Sequence, residues 1–233
     1  MKKPAYITVK EMREHPEWVR EKEEGTGGTR FIGTTEPSLA LKYFQKNGKI
    51  LECGPHSGAF TKVLQDNGFT DIHGVDFYDA LTFPDRSKIA FTVMDLNTEK
   101  IPYPDNSFDG VTAWGIGEHM ENPYHFMREV NRVIKPGAKF IFALPNVFHI
   151  VSRLLFLKKG TFPRWNESNN HITIFTKDTF KKTFLRYFNL VDTVYTKPGI
   201  YCFGKERFKN VLPKNEWFGN YVVYVLEKKD PNA

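Results

Sequence analysis

Residues 49–60 read Lys-Ile-Leu-Glu-Cys-Gly-Pro-His-Ser-Gly-Ala-Phe, and this segment restricts the fold more tightly than any other. Ile50 and Leu51 form a short apolar run of the kind found in a buried parallel strand. Glu52 closes the run, Gly54 and Gly58 bracket a tight turn, and an amphipathic stretch runs from Ala59 to Asn67. A strand, a glycine turn and a helix in that order build the nucleotide-binding crevice of an open α/β sheet. Asp76 lies 22 residues past Gly54, at the end of a second strand-like run over residues 72–75. A carboxylate there can accept a hydrogen bond from each of the two vicinal hydroxyls of a ribose.

The turn differs from a dinucleotide fingerprint. Such a fingerprint uses glycines to seat a pyrophosphate on a helix N-terminus. Here His56 stands at the middle glycine position, and Glu52 brings a carboxylate to the same pocket. A carboxylate repels a pyrophosphate and attracts an ammonium or a sulfonium. The pocket therefore suits a nucleoside carrying a zwitterionic amino-acid tail.

Further motifs follow. Met94-Asp95-Leu96 succeeds a third strand-like run, residues 90–93. Ile101-Pro-Tyr-Pro-Asp-Asn-Ser-Phe-Asp109 then leads into Gly110-Val-Thr-Ala-Trp114. Glu118-His119-Met120 comes next, then Arg128-Glu-Val-Asn-Arg-Val-Ile-Lys-Pro-Gly137 and a strand-like run, residues 139–144. Over residues 48–146 the chain resembles the class I S-adenosylmethionine-dependent methyltransferases, of the small-molecule type. His56 is the departure from the family pattern. The resemblance implies a Rossmann-like, doubly wound α/β sheet of seven strands, mostly parallel, with the last strand inserted antiparallel. It implies S-adenosylmethionine as cofactor.

It also implies roles. Glu52 either steadies the turn or meets the cofactor ammonium, and Gly54, His56 and Gly58 form the cofactor turn. Asp76 is expected on the ribose, with Phe77 on an adenine face. Asp95 and the Leu96 amide are expected at the adenine edge. Ala113 and Trp114 are expected beside the sulfonium and methionine tail. A sulfonium is already an activated methyl donor, so alignment supplies much of the acceleration. A hydroxyl or protonated amine acceptor gains from a general base, and histidine has a suitable pKa. His171 and His119 are the catalytic candidates. His149 is weaker, and His56 is expected on cofactor rather than acceptor. No group in the sequence has metal-ligand spacing, so no metal is expected.

The chain of 233 residues suits a single domain, 1–233. Residues 1–30 are expected as an N-terminal helix and hinge, with residues 7–24 as a surface helix and a Gly-rich hinge at 25–29. Residues 147–175 are expected as a cap on the acceptor side, with Phe162 and Trp165 lining its pocket. The element order expected is strand-helix-strand-helix-strand-strand-helix-strand-helix-strand-strand, the second helix falling between the second and third strands. No signal peptide and no run of 18 apolar residues is found, and two cysteines make no disulfide framework, which fits a reducing cytoplasm.

Residues 147–233 hold 15 Lys/Arg against 7 Asp/Glu, whereas the rest of the chain carries 18 against 20. The excess is either a solvated surface or a lure for an anionic acceptor. The acceptor expected is a small or medium molecule methylated on O or N, a metabolite or glycan precursor that can carry phosphate. A lipid or RNA methyltransferase and a non-catalytic cofactor binder stay open. DNA is not expected. No appended binding domain or basic-aromatic tract speaks for RNA, and a membrane surface is less favoured than a cap. The oligomeric state is not read from the sequence.

Overall fold

The apolar runs of the cofactor half form adjacent strands of one sheet. In the computed structural model, which describes residues 6–15, 35–82, 85–167, 169–202, 205–208 and 211–230, Lys49–Cys53 (β1) lies at the sheet centre. It pairs in parallel with Asp71–Asp76 (β2) on one side and Phe108–Trp114 (β4) on the other. Ala90–Val93 (β3) extends the sheet beyond β2, and Ile134–Pro145 (β5) extends it beyond β4. Gly219–Lys228 (β9) runs antiparallel beside β5 and carries Phe188–Pro198 (β6) at the edge. The order is β3-β2-β1-β4-β5-β9-β6. The chain reverses direction across the sheet between β1 and β4, where a ligand crevice is expected.

The helices follow their sequence signals. Ala59–Asp66 (α3) starts at Gly58, whose φ of 80° places it in the left-handed region. Pro123–Val133 (α4) begins on the Asn122 cap with proline at its first position, and Lys177–Tyr187 (α6) begins on a Thr176–Thr179 capping box. Thr35–Tyr43 (α2) precedes β1, and Ile150–Lys159 (α5) occupies the expected cap.

Three features depart from expectation. Between β2 and β3, where a helix is expected, the described residues hold one 3₁₀ turn, Arg86–Lys88. The N-terminal helix Val9–Glu14 (α1) is only 6 residues long, closed by a Thr8–Glu11 capping box. The rest of the expected helix and the hinge fall outside the described residues. A two-stranded hairpin, Ile200–Cys202 (β7) with Lys205–Arg207 (β8), follows β6 and was not expected.

Alternation along the buried strands sends side chains to two layers. Leu51, Phe140 and Phe142 join one cluster with Phe126, Phe180, Phe184 and Phe188. Ile50, Ile141 and Ala143 join the other with Phe60 and Leu64. The Phe142 ring stacks on Phe184 at 5.2 Å and lies 5.4 Å from Phe140 and 6.1 Å from Phe175. The quoted sequence motifs also clamp one another. Glu129 accepts the Ile101 N–H at 2.9 Å, while Arg132 donates to the Ile101 and Tyr103 carbonyls, each at 2.8 Å, and to Asp105. Because Phe142 is wholly buried among aromatic neighbours, Phe142→Ala should cost about 3–5 kcal/mol in urea unfolding.

Candidate active site

The turn after β1 takes the shape its sequence requires. Gly54, His56 and Gly58 have φ of 73°, 52° and 80°. His56 thus adopts the conformation that a glycine would have supplied, at a cost in local strain. A Cβ at Gly54 would lie 2.4 Å from Ile116 Cγ2, so this backbone runs directly against the segment after β4. The His56 N–H donates to Asp76 Oδ2 at 3.1 Å and the Phe77 N–H donates to Oδ1 at 2.8 Å. Asp76 therefore ties the end of β2 to the turn. A carboxylate at the end of β2, beside the turn, is a group that can accept from the hydroxyls of a ribose diol. The cradle and the acid together fit a nucleoside cofactor.

Glu52 points away from solvent and accepts the Thr61 hydroxyl at 2.6 Å. Burial pushes its carboxyl up to about 7, opposed by the Thr61 bond and assisted by the charge of Asp76. Asp95 closes a turn, accepting from Asn97 N–H at 2.9 Å and from the Thr98 hydroxyl at 3.1 Å. Leu96 is partly buried against the core. Ala113 is wholly buried, and Trp114 lies 5.0 Å from Phe60. Phe77 packs against Tyr78 at 4.5 Å, and its carbonyl accepts from Arg13 Nε at 3.4 Å. Arg13 belongs to α1, which brings the N-terminal segment to the end of β2. Ile7 N–H donates to Asn170 Oδ1 at 3.1 Å, so the same segment also reaches the cap.

Beside the turn, a cleft is lined by Glu118, Leu144, Pro145, Phe148, Trp165, Thr173 and Phe175, among others. Trp165 is among the lining residues, and Phe162 stacks on Phe156 at 4.9 Å. Residues 170–173 are joined to the segment after β4 by several contacts, two of them on one carbonyl. Glu118 O accepts the N–H groups of Ile172 and Thr173 at 2.8 and 3.0 Å. This pairing brings His171 to His119, their ring centres 4.6 Å apart. His119 Nδ1 lies 2.9 Å from the Asn170 carbonyl. A carbonyl only accepts, so Nδ1 carries the proton of this bond. His149 is spoken for as a helix cap: Nδ1 accepts the Val151 N–H and Nε2 donates to the Gly199 carbonyl at 2.9 Å.

Sequence reasoning passed over Glu118. It is 1% exposed, and neither carboxylate oxygen has a hydrogen-bond partner. Burial pushes it up to about 8, against weaker pulls from its own backbone N–H and the Arg164 charge. Ligand atoms of Glu118, His119 and His171 lie within 4.8 Å of one another. The available signal was the adjacent Glu118-His119 pair; the third member arrives only through the 172–173 contact.

Comparison with known proteins agrees with this geometry. The methyltransferase domain family matches residues 34–192, and the chain belongs to that family. Family and fold together make it an enzyme of the class I type, with S-adenosylmethionine as methyl donor. An uncharacterised protein of Methanocaldococcus jannaschii is 25% identical over 215 residues, covering 85% of this chain and 83% of the relative. A demethylmenaquinone methyltransferase of Symbiobacterium thermophilum is 28% identical over 112 residues, covering 44% of this chain and 45% of its own. A crystal structure from Thermotoga maritima, described as a SAM-dependent methyltransferase, superposes with a TM-score of 0.65 at 18% identity, covering 93% and 99% of the two chains. No helix among the described residues is long and apolar enough to cross a membrane.

The buried Glu52 carboxyl has a pH consequence. Below its ordinary value of 4.5 it is neutral in both folded and unfolded chains. As pH rises through about 7 the folded protein must bury a charge, so the stability contributed by the neutral group is lost. Glu52→Gln should remove this slope. Without ligand, it should gain roughly 1–3 kcal/mol over the parent at pH 8 and little at acid pH, read by urea unfolding.

Proposed function

We propose that the protein transfers a methyl group from S-adenosylmethionine to an oxygen or nitrogen of a small acceptor held in the cleft under the cap. One observation carries this reading: the segment from Ile116 to Glu118 borders both the cofactor turn and the cleft. Ile116 contacts Gly54, and Glu118 lines the cleft. Two ligands bound there would meet end to end, as an in-line displacement requires.

The bound cofactor supplies a methyl group already activated on a sulfonium. Asp76 holds the ribose, and the turn admits the methionine tail close to backbone. Trp165, Phe175 and Tyr224 form an apolar-aromatic lining that excludes water and suits an acceptor with a flat ring. The polar end of the cleft, Glu118 with His119 and His171, faces the reacting atom and handles the proton it loses. An anionic substituent would be met by Arg164, which lies over the Tyr221 ring at 4.3 Å. Arg153 and Lys177 are both engaged by Glu216 and contribute less.

A lipid-like acceptor is the second reading. The outer face of α5 exposes Leu154, Phe156 and Leu157 beside Lys158 and Lys159, a pattern suited to an acidic bilayer surface. The relative named for demethylmenaquinone supports an apolar ring acceptor.

Calorimetry should show binding of S-adenosylhomocysteine, and Asp76→Ala should weaken it by about 1.5–3 kcal/mol for each charged hydrogen bond lost. Methyl transfer is then screened on hydroxylated and amino aromatics, quinols in vesicles, and sugar phosphates. Binding without turnover on any acceptor would mark a non-catalytic cofactor binder. Failure to bind S-adenosylhomocysteine would overturn the assignment.

A further inference from the structure

We propose that Glu118, His119 and His171 form a binding site for one divalent transition-metal ion at the polar end of the acceptor cleft. Two imidazoles and one carboxylate make a donor set that first-row divalent ions such as Mn²⁺, Fe²⁺, Co²⁺ and Zn²⁺ accept, with coordination positions left open. The three ligand atoms lie within 4.8 Å of one another. Ligands about 2.1 Å from an ion stand about 3 Å apart, so side-chain adjustment of the order of an ångström closes the set.

Three observations point to a ligand rather than to a packed cluster. Glu118 is 1% exposed and neither of its oxygens has a hydrogen-bond partner. A buried carboxylate in that condition is costly unless a cation compensates it. The Arg164 charge reaches Glu118, but its guanidinium donates to Asn220 Oδ1 at 3.0 Å and stacks on Tyr221. Second, the Asn170 carbonyl holds the His119 ring through Nδ1, and such an outer partner is a usual companion of a metal-bound histidine.

Third, the ligand-bearing segments are locked together before any ion arrives. The Glu118 carbonyl holds Ile172 and Thr173, and the Thr173 hydroxyl donates to the Met120 carbonyl at 2.5 Å. Gly117 allows this close passage, since a Cβ there would lie 2.5 Å from Phe142 Cζ. Trp165 stands edge-on to His171 at 5.7 Å and shields it. The open positions would face the cleft, where they can take oxygen atoms of the acceptor. That orientation rests on the methyltransferase reading; the binding of the ion does not.

The test uses the full chain, stripped with chelator and titrated with Mn²⁺ alone, reading free Mn²⁺ by electron paramagnetic resonance. One ion per chain is expected. Glu118→Gln, His119→Ala and His171→Ala should each weaken binding at least tenfold. Co²⁺ should give a visible ligand-field band in the parent that these variants lack. S-adenosylhomocysteine affinity, measured on the same samples, reports folding and the cofactor site independently. Absence of Mn²⁺ binding by the parent would overturn the proposal while leaving the methyltransferase reading intact. So would binding unchanged in all three variants when they retain S-adenosylhomocysteine affinity.

Discussion

The Glu118 carbonyl is where the two halves of the molecule meet. It accepts two N–H groups from the segment that enters α6, at 2.8 and 3.0 Å. His171 and the adjoining wall of the cleft take their position from that junction together with the Thr173–Met120 and His119–Asn170 contacts. The junction is possible because Gly117 has no side chain and because Phe142 and Leu144 fill the space beneath it.

On the cofactor side the controlling element is Asp76. Its carboxylate receives backbone N–H groups from two different segments, and so holds the turn in its left-handed excursions. The same group that shapes the cradle is the one suited to the ribose. Glu52, though it neighbours this turn in sequence, is committed to Thr61 in the interior. It is a buried acid whose charge burial disfavours.

Much of the fold was legible because its signals are local. Ile50-Leu51 with the glycine turn, the Thr176 cap and the proline after Ile134 each set a boundary in their own neighbourhood. The Ile101–Asp109 and Arg128–Gly137 motifs were recognisable as strings, but their physical reason, the Arg132–Glu129 clamp, appears only in three dimensions. Misses came where local signals compete. The 77–89 segment offered enough length for a short helix, yet its described residues hold a single 3₁₀ turn. Glu118 escaped notice because a glutamate beside a histidine looks like surface, and nothing in the sequence announces its burial. The convergence with His171 depends on a backbone pairing between distant segments, which periodicity does not encode.

The placement of β9 governs how the chain can acquire this structure. β6 is joined to the sheet through β9 alone, and β9 pairs residues 219–228 with residues 139–145 and 188–198. During synthesis, β1 to β5 can assemble as soon as they emerge. β6 then has no strand to bind until residues 219–228 have left the ribosome. In the interval β5 presents an open apolar edge, the kind of surface that recruits chaperones or other nascent chains. Completion is thus a late, non-local event, and loss of β9 pairing would free β6 and leave the β5 edge open together.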